Sequence, residues 1–89
     1  MSDKSIIVYV QDDWLLSNQV KEFLSQKNIA FTERNVKKDK DALNELRKTG
    51  AMVTPLTVIN GKYEAGFNKS RLNQLLKGWI YAKMNNPMQ

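Results

Sequence analysis

Hydrophobic positions in this chain come in short blocks whose spacing changes from one block to the next. The first, Ser5 to Val10 (SIIVYV), is β-branched and aromatic, too short for a helix, and apolar at nearly every position. That is the composition of a strand covered on both faces, and it predicts a central strand. After the polar stop Gln11-Asp12-Asp13, the segment from Trp14 to about Lys27 places Leu16, Val20, Phe23 and Leu24 at helical spacing, with Lys21, Glu22 and Gln26 on the other side. Asp12 or Asp13 can cap this helix and Asn28 can end it. Ala30 to Val36 (AFTERNV) alternates weakly around Phe31, Thr32 and Val36, which fits a second strand more exposed than the first. Strand, helix, strand implies a right-handed parallel crossover.

The stretch KKDKDALNELRKTG predicts a second helix. It has Asp39 or Asp41 at its positive end, Leu43 and Leu46 inward, Arg47 and Lys48 near its negative end, and Gly50 as terminator. Leu56 to Ile59 (LTVI) and Lys62 to Ala65 (KYEA) flank Asn60-Gly61, the dipeptide that supplies both positive-φ residues of a type I′ hairpin turn. Gly66-Phe67-Asn68 then leads into a last helix with Leu72, Leu75, Leu76, Trp79 and Ile80 on one face, Asn68 or Ser70 as cap, and a frayed polar tail, NNPMQ. Repeats, linkers and low-complexity blocks are absent, so residues 1–89 form a single domain with its core at about 5–83.

At 89 residues with 42% hydrophobic and 26% charged content, the chain is an ordinary small domain in which most apolar residues are needed for packing. The net charge of +5 raises the question of a polyanionic partner. Yet the basic residues are scattered from Lys4 to Lys83, and Lys37, Lys38 and Lys40, the one close group, are interleaved with Asp39 and Asp41. That run reads as a solvated loop and helix start, and no nucleic-acid partner is expected. The absence of cysteine excludes disulfides, thiol redox chemistry, thiolate metal sites and cysteine nucleophiles. The absence of histidine removes the usual general base, pH switch and transition-metal ligand. Neither catalytic nor metal-ligating residues are therefore assigned. The N-terminal segment MSDKSIIVYVQDDW reads as neither a signal peptide nor a membrane span, and a cytoplasmic protein that makes no membrane contact is expected.

The order β-α-β-α-β-β-α with an X-Pro ahead of a hairpin resembles the thioredoxin-like fold, an α/β class with a four-stranded mixed sheet flanked by three helices. In detail the chain resembles the glutaredoxins and the short glutaredoxin-like reductases that serve ribonucleotide reductase. The resemblance is carried by IIVYVQDDWLLSNQVKEFLSQKNIAF, by VTPLTVINGKYEAGF and by the final amphipathic helix, together about Ile6 to Leu76. In an ungapped comparison the family's Cys-x-x-Cys falls on Trp14-Leu15-Leu16-Ser17, so Trp14 stands at the attacking and Ser17 at the resolving position. A hydroxyl is far too basic to replace a low-pKa thiolate. Thr54-Pro55 matches the family's cis-proline dipeptide, whose preceding residue offers its backbone to an extended thiol peptide. The family also places acids after its glycine pair to hold the glutathione amino group and often a basic residue three positions before the first cysteine. This chain has Asn68-Lys69-Ser70 and Gln11 at those places.

The candidate binding residues are accordingly the former active-site positions Trp14, Ser17, Thr54, Pro55, Gly66 and Phe67. Trp14 can act as an exposed docking anchor or as a lid folded over the helix. Ser17 can bond a bound peptide or be a satisfied first-turn residue. Trp14, Leu15, Leu16, Met52, Val53 and Phe67 would form one apolar surface if none turns inward, whereas Trp79 and Tyr81 read as packing and rim. The resulting expectation is a redox-inactive glutaredoxin-like protein, a monomer or weak dimer, that binds a protein or peptide at this edge without a cofactor. The alternative is glutathione binding or a glutathione-dependent transferase-like or oxidoreductase-like activity, as the family resemblance implies.

Overall fold

Alternation along the first strand explains why it reads as continuously apolar. In the computed structural model, which describes residues 6–11 and 15–84, β1 (Ile6–Val10) is a central strand of the sheet. Ile6, Val8 and Val10 point to one face and pack with Val20, Phe23 and Leu24 and with Leu72, Leu75 and Leu76. Ile7 and Tyr9 point to the other face, towards Leu46, Leu56 and Val58. The helices from which these partners come are α1 (Leu15–Gln26), α2 (Lys40–Thr49) and α3 (Lys69–Met84). One layer, α1 and α3, covers one face of the sheet and α2 covers the other.

The remaining strands are β2 (Thr32–Asn35), β3 (Leu56–Ile59) and β4 (Lys62–Ala65), in the order β2-β1-β3-β4. β1 runs parallel to β2 and antiparallel to β3, and β3 runs antiparallel to β4. This is the mixed four-stranded sheet with three helices that the pattern predicts. Local signals hold at several boundaries. Asn60 and Gly61 both take positive φ, 52° and 78°, as a type I′ turn requires. Asn28 ends α1 at φ 58°, with the Ile29 amide donating to the Leu24 carbonyl. The Asp39 carboxylate accepts from the amides of Asp41 and Ala42 and caps α2, which Gly50 closes in a left-handed conformation. Asn68, not Ser70, caps α3 by accepting from the Arg71 amide. No described helix is long and apolar enough to cross a membrane.

Docking geometry corrects the expected core at three places. In α1 the buried face is Ser17, Val20, Phe23 and Leu24, and Leu16 is exposed, because the helix rests on the sheet about one residue further round than the apolar pattern indicates. In α2 Ala42 joins Leu46 as the buried pair, with Leu43 only half-buried. In α3 Ile80 is exposed. That helix has 16 residues against four in each neighbouring strand. A helix of about 24 Å outruns strands of about 13 Å, so its last turns have no sheet beneath them. Ser5, the capping candidates Asp12 and Asp13, Trp14 and the NNPMQ tail lie outside the described residues.

Candidate functional site

The antiparallel pairing of β1 and β3 brings the candidate residues to one end of the sheet. Tyr9 lies opposite Leu56, so Gln11, leaving β1, meets the loop that leads into β3. There the Thr54 hydroxyl lies 3.5 Å from Gln11 Oε1, at the limit of a hydrogen bond. On the far side Leu56 pairs with Ala65, and the Gly66 amide donates to the Pro55 carbonyl at 2.8 Å. The end of β1, the loop 52–55 and the loop 66–68 are therefore neighbours. The Thr54-Pro55 peptide bond is cis. Thr54, Gly66 and Phe67 are half-buried, whereas Pro55 is buried.

Apolar side chains are exposed both on the loop 52–55 and at the start of α1. Leu15 is 73% and Met52 55% exposed, and Leu16 and Val53 are nearly half exposed. The main-chain groups of Val53 and Thr54 make no hydrogen bond to other described backbone. Phe67 leaves this surface: its ring turns in towards Phe23, centroid to centroid 5.9 Å in an edge-to-face arrangement. Beyond it a polar groove of about 250 Å³ is lined by Gln19, Glu22 and Lys69. Trp14, expected at this edge, lies outside the described residues.

Ser17, in the first turn of α1, is not exposed in this structure. Its side chain is wholly buried, and its Oγ has no hydrogen-bond partner among the described residues. Thr57, one strand position beyond Leu56, is a second buried hydroxyl without a partner among the described residues; nothing in the sequence singled it out, because an isolated threonine in a strand is ordinary. Among the described residues, no group of three or more Asp, Glu, His or Cys side chains could hold a metal ion.

Shifted titration belongs to the other face of the sheet. Arg34 of β2 grips Glu45 of α2 with both Nε and Nη2, at 3.1 and 2.6 Å, and reaches Asp39 at 3.4 Å. The Tyr9 hydroxyl donates to the same Glu45 carboxylate at 3.2 Å. Burial, reinforced by the Glu45 charge, pushes the Tyr9 phenol above its ordinary value of 10.0. The hydrogen bond to Glu45 chiefly raises the Arg34 guanidinium. This network ties β1, β2 and α2 together and takes no part in the edge described above.

Comparison with known proteins agrees with this geometry. The family model described as Glutaredoxin matches residues 6–64, more than half of the chain. The crystal structure of the thioredoxin-like protein BC3987 is 43% identical, with a TM-score of 0.75 over 80% of this chain and 99% of that one. NrdH-redoxin from Escherichia coli is 22% identical, with a TM-score of 0.71 over 80% of this chain and 93% of its own. Buckwheat glutaredoxin in its glutathione complex is 19% identical, with a TM-score of 0.68 over 88% and 78%. At their lower identity the last two speak to the fold alone. No curated protein matches. With its family match spanning residues 6–64, the chain belongs to the glutaredoxin family as a thioredoxin-like domain that carries no cysteine.

Proposed function

We propose that this protein binds an extended segment of a partner protein along the loop 52–55 and performs no thiol exchange of its own. The observation that carries the reading is exposed Met52 and Val53 beside main chain at Val53 and Thr54 that bonds no other described backbone, with Leu15 and Leu16 exposed at the start of α1. Main-chain pairing would give such a segment its affinity, and the apolar side chains would select what lies beside it. Thiol exchange needs a thiolate to attack and a thiol to resolve, and the sequence has neither. Glutathione is the less favoured ligand, because Gln11 and Asn68-Lys69-Ser70 stand where charges would hold its carboxylate and amino groups.

The test is an amide-resolved NMR titration of labelled protein with glutathione and, separately, with a capped apolar peptide, acetyl-Val-Thr-Leu-Val-amide. The expected result is movement of Leu15, Val53, Thr54 and Gly66 with the peptide, abolished in Leu15→Asp with Met52→Asp, and silence with glutathione. Movement with glutathione instead would replace this reading with a glutathione-binding one. Silence with both would refute it.

A further inference from the structure

At the opposite end of β3 and β4 from Pro55 and Gly66, the hairpin turn meets the middle of α3, and a groove of about 290 Å³ opens between them. Its walls are Asn60 and Lys62 from the hairpin and Arg71, Gln74, Gly78 and Trp79 from α3. Arg71, Gln74 and Gly78 are spaced three and four apart, so they form one stripe of α3, with Trp79 at its flank.

Gly78 is the anomaly. It lies inside a 16-residue helix, where glycine is disfavoured relative to alanine. A Cβ built there would meet nothing within 4 Å. No close approach in the fold explains the glycine, and its effect is to leave the groove open beside Trp79.

The charge of the groove selects its occupant. Glu64 is the last acidic residue of the chain, and Lys69, Arg71, Lys77 and Lys83 follow it unopposed in sequence. Glu64 and Gln74 hold the Arg71 guanidinium, at 3.5 and 3.3 Å, through its Nε and Nη1. Lys62 has no carboxylate partner among the described residues. Two cations against one carboxylate leave the groove net positive, with the Asn60 and Gln74 amides able to meet peptide main chain and the Trp79 flank able to take an apolar side chain. Two cations are too few, and the groove too short, for a nucleic-acid strand, whose binding draws on many phosphate contacts.

We propose that this groove is a second binding site, independent of the loop 52–55, for an acidic segment of a partner protein. A carboxylate of that segment meets Lys62 and Arg71, and an adjacent apolar side chain occupies the space over Gly78.

The experiment titrates labelled protein at low salt with acetyl-Asp-Leu-Glu-amide and with its neutral counterpart, acetyl-Asn-Leu-Gln-amide. The acidic peptide should shift the amides of Asn60, Lys62 and Gly78 and the Trp79 indole, with at least tenfold weaker binding for the neutral one. Lys62→Glu should weaken the acidic peptide at least tenfold. Gly78→Gln should fill the groove and abolish the shifts while the protein melts at or above the parent temperature, since the change favours the helix. No response at millimolar peptide, an equal response to the neutral peptide, or a response confined to Val53, Thr54 and Gly66 would each overturn the proposal. So would a single-stranded oligonucleotide that moves the groove residues where the acidic peptide does not.

Discussion

Thr57→Val exchanges one buried hydroxyl for a methyl of nearly the same shape, and its outcome can be worked from the structure. The side chain lies in β3, in register with Val8 of β1 and Glu64 of β4. It is wholly buried, and its Oγ1 has no hydrogen-bond partner among the described residues. Folding strips water from that hydroxyl and returns nothing, at a cost of about 1–3 kcal/mol. Valine keeps the β-branched shape that strands favour, and a buried methyl contributes roughly 0.8 kcal/mol more. The variant should therefore be more stable by at least about 1 kcal/mol, which in a domain of this size raises Tm by about 4–8 °C per kcal/mol. Thermal and urea unfolding followed by circular dichroism would measure it, with an unchanged urea m-value confirming that the native state, and not the unfolded chain, has altered. An unchanged or lower Tm would refute the reasoning, for it would mean that the hydroxyl is bonded in the folded protein and that the core needs it.

Three further outcomes follow from the same geometry. Ser17→Ala removes the other buried hydroxyl that has no partner among the described residues and improves helix propensity, so it should stabilise by about 1 kcal/mol; a loss of stability in urea titration would show that Ser17 has a partner. Asp39→Ala removes the carboxylate that caps α2, and chemical denaturation should register a loss of about 1 kcal/mol, with no loss if water caps the helix equally well. For Tyr9, whose pKa is raised in the folded state by burial and by Glu45, the unfolded chain releases the proton first. The resulting stabilisation is complete below the ordinary tyrosine value of 10.0 and is lost as pH rises from there through the folded value. Melting curves between about pH 9 and 11 should fall more steeply for the parent than for Tyr9→Phe, and equal slopes would contradict the assignment.

Much of this protein could be read from short-range patterns. The apolar run of β1 announced a strand covered on both sides, Asn60-Gly61 the hairpin, and Asp39 and Gly50 the limits of α2, because backbone preferences and caps act within a few residues. The loss of thiol chemistry is likewise a property of composition alone. What the sequence could not decide is how each element rotates onto its neighbours. A helical period leaves a choice of about one residue in which side chain faces inward, and only the docking of α1 buries Ser17 and exposes Leu16. Phe67 turns towards Phe23 for the same reason. Contacts between residues far apart in the chain were equally hidden: the Tyr9, Arg34 and Glu45 network depends on β1 and β2 being paired in register, with Tyr9 opposite Arg34, and on α2 lying across them. The groove at Gly78 exists because the hairpin turn comes back against the middle of α3. Local chemistry selected the elements, and the burial of shared apolar surface selected which of their side chains would meet.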